Sequence, residues 1–90
     1  MKWTVRVHKK AAKQIKKLPE RVKAVWEVLR ADLEVKGPAP GKAWKNYSKL
    51  SETKHHCHLK YSWVACWEVL DDEIRLMEVY YVGSREDAPY

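Results

Sequence analysis

Ninety residues suffice for one domain with a modest core and leave little room for a second. Eighteen Lys and Arg against twelve Asp and Glu give a formal charge of +6, which draws polyanions by releasing their condensed counterions and points to nucleic acid or ribosome as partner, although the same charge can serve solubility alone. No apolar run approaches the roughly 18 residues of a membrane span, and Met1-Lys2-Trp3-Thr4-Val5-Arg6 lacks a signal-peptide core, so a cytoplasmic protein with no membrane partner is expected, with Cys57 and Cys66 as buried thiols.

Along the chain, Trp3, Val5 and Val7 alternate with Thr4 and Arg6, the period of a half-buried strand. From Lys9 the period turns helical: Ala11, Ala12, Ile15 and Leu18 share one face, and Lys9, Lys13, Lys16 and Lys17 lie mostly on the other. Leu18-Pro19-Glu20 ends this helix and opens a second, in which Val22, Val25, Trp26, Leu29 and Leu33 recur until Gly37 and Pro38 stop it. A Gly/Pro loop follows, and the polar stretch from Lys42 to Thr53 reads as an irregular connection anchored by Trp44, Tyr47 and Leu50. Residues 55–61, 63–70 and 74–82 are strand candidates joined by short turns. The order β-α-α-β-β-β predicts one α+β domain over residues 1–90, an antiparallel meander sheet with an N-terminal helical hairpin packed on one face. The other face is left for function.

Because strand side chains alternate, Lys54, His56 and His58, with Lys60 as a further candidate, share a face opposite His55, Cys57 and Leu59. A three-residue turn at 60–62 sets His58 against Val64 and His56 against Cys66; a two-residue turn at Tyr61-Ser62 opposes Cys57 and Cys66 instead. The first is preferred because it groups Trp63 and Trp67 with Leu59 beneath the helices. Glu78, between Leu76 and Tyr80, is either a cleft carboxylate or a buried one needing a partner, for which Arg85 is the candidate. Trp3, Trp26, Trp63 and Trp67 read as core, and Trp44 and Tyr47 as surface rings able to stack on bases. His56, His58 and Glu68 form an alternative metal set, weak for want of a second spaced pair.

This order of elements, the Lys-rich helices, the run His58-Leu59-Lys60 and the ending Tyr81-Val82-Gly83-Ser84-Arg85-Glu86-Asp87-Ala88-Pro89-Tyr90 together resemble the RelE-type toxins of the RelE/ParE superfamily, over essentially the whole chain. The resemblance implies a toxin of a toxin–antitoxin system whose open sheet face enters the ribosome and cleaves mRNA, by attack of a 2′-hydroxyl on its neighbouring phosphate. That chemistry needs a base, cations for the developing charge and an acid for the leaving oxygen, and neither metal nor other cofactor is expected. Arg85 matches the family's phosphate-binding arginine and Tyr90 its tyrosine near the carboxyl end, with one residue fewer between them. The family's two strand lysines fall at His56 and His58, and a further arginine falls at Val64. Relatives use Glu and His as base and acid, which makes His56, His58, Glu68 and Glu78 the proton-transfer candidates here. Lys54 and Lys60, with Trp44 and Tyr47, are the expected RNA-binding groups.

The implied partners are a cognate, acidic antitoxin, the ribosome and mRNA, with the protein either a monomer or part of a toxin–antitoxin hetero-oligomer. A ParE-like inhibitor of DNA gyrase shares the fold, although its members lack the terminal Arg and Tyr. A non-catalytic RNA- or antitoxin-binding relative is the third reading, favoured by the residues at His56, His58 and Val64. Without the resemblance, the histidines would be ordinary surface residues, Arg85 a tail ion pair and Tyr90 a mobile end.

Overall fold

His8 turns the chain from strand to helix in one residue. Its backbone N–H donates to the Val79 carbonyl at 2.9 Å, and its Nδ1 accepts the Lys10 N–H at 3.1 Å as a helix cap. In the computed structural model, which describes residues 2–41 and 43–90, the strand before it is β1 (Thr4–Val7) and the helix after it α1 (Lys9–Lys16). Met1, in the stretch read for a leader, and Lys42, where the irregular connection begins, lie outside the described residues. The second helix, α2 (Glu20–Lys36), buries Val22, Trp26, Leu29 and Leu33, the helical stripe expected from their spacing. Gly37 ends it at φ 88°, and a Cβ there would stand 2.9 Å from the Trp3 indole nitrogen, so glycine is required on two counts. No helix of the described residues is long and apolar enough to cross a membrane.

The remaining elements are β2 (Ser48–Lys49), β3 (Lys54–Lys60), β4 (Trp63–Asp71), β5 (Leu76–Ser84) and a 3₁₀ turn (Arg85–Asp87). They form one sheet in the order β1-β5-β4-β3-β2. The α+β class and the β3–β4–β5 meander are as expected, but the sheet is mixed: β1 runs parallel to β5. Alternation marks a strand without naming its neighbour, and the two helices and three strands between β1 and β5 supply far more than the length a parallel arrangement needs. The irregular connection also adds β2 to the outer edge of β3, two residues too short to show a period. Ile74, expected in the last strand, belongs to the turn before it, where Asp71 Oδ1 accepts the Glu73 and Ile74 N–H groups at 3.0 and 3.2 Å.

The β3–β4 register combines both turns weighed from the sequence. Lys60 pairs with Trp63 across the two-residue turn Tyr61-Ser62, but Leu59 is an extra residue in β3, so below it His58 opposes Val64 and His56 opposes Cys66. The cysteines thus fall on opposite faces and form no disulfide. A second bulge lies in β5, where Cys66 pairs with Tyr81 and Trp67 with Val79, leaving Tyr80 over. Val79 and Val82 therefore face the helices while Tyr80 and Tyr81 pack together on the uncovered side.

The helix-side core joins Trp26, Leu29 and Leu33 to Trp67, Met77 and Val79, all essentially inaccessible. Trp3 and Trp63 pack at its rim rather than inside it. Next to the β5 bulge, the Val82 N–H finds its partner in a side chain, donating to Gln14 Oε1 on α1 at 3.0 Å. Replacing that acceptor leaves a part-buried N–H unsatisfied: Gln14→Ala is expected to cost roughly 1–2 kcal/mol, read as a lower urea midpoint at unchanged m-value.

Candidate functional site

Two small apolar side chains make the floor of the uncovered face. Val64 and Cys66 are fully buried on β4, with Tyr81, Tyr80 and Ala88 packed around them. Burial pushes the Cys66 thiol up to about 12, with the Tyr80 hydroxyl hydrogen-bonding to it in the opposite sense, so Cys66 lines the floor in its neutral thiol form. Tyr80 is likewise pushed up to about 12, first by burial and then by Cys66 and Glu68. Val64, where the family carries an arginine, has its side chain wholly beneath the surface.

Above this floor β3 sets His56 and His58, with ring centres 5.9 Å apart. His56 is buried and His58 half-buried. Burial lowers the His56 pKa, a hydrogen bond with the Ser48 backbone works against that, and His58 adds to it. Burial also lowers His58, followed by the positive charges of Arg85 and Lys45. Both imidazoles are therefore held toward their neutral forms.

The tail reaches this face because three contacts steer it. The Tyr81 hydroxyl donates to the Ser84 carbonyl at 2.6 Å, Ser84 Oγ accepts the Glu86 N–H at 3.2 Å to cap the 3₁₀ turn, and the Arg85 N–H donates to the Ser62 carbonyl at 2.7 Å. Gly83 makes the first possible, since a Cβ there would sit 2.9 Å from the Tyr81 hydroxyl. Arg85 is thereby placed where its charge acts on both His58 and Tyr90. Tyr90, with its pKa raised by burial and by Cys66 against the pull of Arg85, brings its ring to 4.4 Å from that of His56. The described ion pairs are Arg6–Glu78, Lys23–Glu20 and Lys36–Asp32, and none involves Arg85.

The structure thus brings together His56, His58, Arg85 and Tyr90. It does not bring Glu78 to Arg85: Glu78 is held by Arg6 at 2.9 Å, its register partner on β1, a pairing that follows from the parallel strand the sequence did not reveal. Glu68 opposes both Lys54 and Glu78, four residues along β4 from Val64 and so roughly 13 Å away along the strand, and takes a 3.4 Å hydrogen bond from Thr53. Lys54 stays on the same face, its ammonium 5.7 Å from the Tyr80 ring centre. The Leu59 bulge removes Lys60 from the set, pairing it with Trp63, whose ring packs on the helix side. Trp44 and Tyr47 are structural rather than stacking surfaces. Both are half-buried against the helix-side core, Trp44 donating to Asp32 at 2.8 Å and Tyr47 meeting His55 Nδ1 at 2.8 Å. Among the described residues, no three His, Cys, Asp or Glu side chains are grouped to hold a metal, so the set His56, His58 and Glu68 is not assembled.

Sequence reasoning missed Lys45, Asn46 and Ser48, which border the histidines from the edge, because an unperiodic polar stretch carries no signal of where it folds. It also missed Tyr81, whose place on this face depends on the β5 bulge.

No protein-family model matches the chain, and no curated protein matches its sequence. Its structure does have neighbours. A chain of the archaeal RelE–RelB complex from Pyrococcus horikoshii superposes with a TM-score of 0.77 at 18% identity, covering 98% of this chain and 100% of that one. For a chain of the Escherichia coli DinJ–YafQ toxin–antitoxin complex the TM-score is 0.77 at 16% identity, with 100% of both chains covered. The isolated E. coli RelE toxin gives 0.71 at 19%, over 97% of this chain and 88% of that one. The chain therefore has the RelE-type toxin fold along essentially its full length, as the sequence resemblance implied.

The histidines also couple stability to pH. Burial lowers the pKa of His55, His56 and His58 below the ordinary 6.5, so on acidification the unfolded chain takes up protons first. The stability they confer is complete above that value and is lost as pH falls toward their folded-state pKa values. Urea midpoints measured from about pH 7.5 to about pH 5 should fall, and His55→Gln should flatten the dependence.

Proposed function

We propose that this protein is the toxin of a toxin–antitoxin pair and acts as an endoribonuclease on mRNA at the ribosome. The observation that carries this reading is the meeting, on the uncovered sheet face, of an Arg85 outside every described ion pair, His58 within its field, and His56 against Tyr90 at 4.4 Å. Two further facts support it. The neighbours in fold include RelE in complex with RelB and the DinJ–YafQ toxin–antitoxin pair. The chain also carries a formal charge of +6, with Lys9, Lys10, Lys13, Lys16 and Lys17 all exposed along and just beyond α1. Such charge suits both an acidic antitoxin and an RNA target.

The proposed reaction uses groups already in place. His56, held toward its neutral form, takes the proton of an RNA 2′-hydroxyl, and the freed oxygen attacks the adjacent phosphorus. The bond from phosphorus to the 5′-oxygen breaks, and Tyr90 gives its phenolic proton to that oxygen. The His56 imidazolium then returns a proton to the neighbouring Tyr90 phenolate. The products are a 2′,3′-cyclic phosphate and a 5′-hydroxyl, and the protein ends unchanged. Arg85 balances the charge that grows on the non-bridging oxygens, and His58 donates a hydrogen bond to one of them. Lys54 lies along the same face, where it can follow the RNA backbone. Glu78 has no part, since Arg6 already holds it.

The test is induction of the wild type beside Arg85→Ala and His56→Ala, with mRNA ends mapped on translated and untranslated messages. Cuts confined to translated message and ending in cyclic phosphate are expected, with cleavage reduced roughly 10²–10³-fold in Arg85→Ala. Growth arrest with intact mRNA would sink the nuclease reading in favour of a gyrase-type target. No arrest and no cutting would leave a non-catalytic binder.

A further inference from the structure

Three consecutive side chains of the β3 edge segment each meet one histidine of β3. Tyr47 Oη lies 2.8 Å from His55 Nδ1, Ser48 Oγ 3.0 Å from His56 Nδ1, and Asn46 Nδ2 3.5 Å from His58 Nδ1. The backbone holds the segment in place: Ser48 and Lys49 pair with His56 and His55, and the Lys45 carbonyl accepts the His58 N–H at 2.8 Å. Asn46 takes a left-handed φ of 53°, a conformation asparagine tolerates better than most residues, and from there its amide reaches His58.

We infer that Ser48 and Asn46 are positioning residues that fix His56 and His58 in opposite tautomers, and so give the two imidazoles different tasks. The inference rests on the nuclease reading for the tasks, but not for the tautomers. In both rings Nδ1 is engaged toward the edge, which leaves Nε2 as the second nitrogen. An amide N–H can only donate, so the contact from Asn46 places the lone pair of His58 on Nδ1 and its proton on Nε2. A ring in that state donates a hydrogen bond and is the proper neighbour for a phosphate oxygen. His56 differs because its partner Ser48 can take a proton where an amide N–H cannot: the hydroxyl at 3.0 Å can accept as well as donate, and the Ser48 backbone, which hydrogen-bonds the ring in the sense that favours its protonated form, can do so only as a carbonyl acceptor. The His56 proton therefore sits on Nδ1, and Nε2 carries the lone pair that a general base needs. Two identical side chains two residues apart on one strand become an acceptor and a donor through their edge partners.

The arrangement also accounts for the segment's composition. Ser48 is exposed and belongs to a strand of two residues, so neither burial nor sheet length demands it. Tyr47 points the other way, its ring 6.0 Å from that of His55 and 6.2 Å from that of Trp67, and anchors the edge from the helix side. The same three residues thus fix one histidine in the core and two on the open face.

The experiment is two-bond ¹H–¹⁵N correlation of the imidazole nitrogens in the whole protein at neutral pH, with His56→Gln and His58→Gln used for assignment. The expected pattern is the Nδ1–H form for His56 and the Nε2–H form for His58. Ser48→Ala, which removes the hydroxyl and keeps the carbonyl, should let His56 populate the Nε2–H form beside the Nδ1–H form, and Asn46→Asp, which offers an acceptor in place of the amide, should turn His58 toward Nδ1–H. The His55 signals, tied to Tyr47, report in each variant whether the edge still pairs. Cleavage of translated mRNA should fall roughly 10-fold to 100-fold in Ser48→Ala through turnover rather than binding, with recovery in Ser48→Thr. One shared tautomer in the wild type, or a His56 signal unmoved in Ser48→Ala with His55 unchanged, overturns the inference whatever the protein does to RNA. The expected tautomers in a wild type that cuts no RNA sustain it and overturn the nuclease reading instead.

Discussion

The helices cover one face of the sheet, and every second side chain of a strand turns to that face, so an extra residue in β3 or β5 decides which groups meet on the other side. Without the bulge at Leu59, the two-residue turn at Tyr61-Ser62 would oppose Cys57 to Cys66 and place the β3 histidines against the wrong partners. With it, Lys60 closes the turn on the helix side while His58 and His56 remain over Val64 and Cys66. The bulge at Tyr80 acts at the far end of the same path. It lets Val79 and Val82 both enter the core although they are three residues apart, and it turns Tyr81 toward the tail, where its hydroxyl fixes the Ser84 carbonyl. Placement of Arg85 and Tyr90 follows from that hydroxyl, which the absence of a side chain at Gly83 allows, together with the Ser84 cap and the Arg85 N–H bond to Ser62.

What could be read from the chain was what burial writes periodically. The stripes of α1 and α2 and the meander strands were legible because each presents a repeated apolar position to the same core. The neighbour of β1 was not, since alternation is blind to partner and direction, and with it went the partner of Glu78: a carboxylate expected on Arg85 is held by Arg6. Trp44 and Tyr47 were misplaced for a related reason. A polar, unperiodic stretch looks exposed until it is known to fold back over α2, where Asp32 takes the Trp44 N–H. Of the candidate site, Arg85 and Tyr90 were legible through the resemblance of the chain's ending, and His56 and His58 through their shared strand face. Their closeness to one another depended on the bulges and the tail contacts, which leave no mark in composition.

Attraction and chemistry are spatially divided in this molecule. The exposed lysines from Lys9 to Lys17 lie at α1 and just beyond it, on the layer that covers the opposite side of the sheet, while the uncovered face carries two neutral-leaning imidazoles, a buried valine where the family has an arginine, Arg85 and, farther along, Lys54. Lowered imidazole pKa values and a nearby guanidinium are parts of one arrangement. Arg85 helps keep His58 neutral, and a neutral His58 leaves the positive charge of the site concentrated on Arg85. A phosphate entering such a site meets Arg85 over an apolar floor, with Lys45 at the edge, and the low polarity of Val64 and its neighbours strengthens the attraction. On the nuclease reading this replaces the strand lysines by two oriented rings beside Arg85. The binding energy for a long anionic partner then has to come from charge outside the site, which the α1 lysines can supply without shifting the proton affinities of the groups that react.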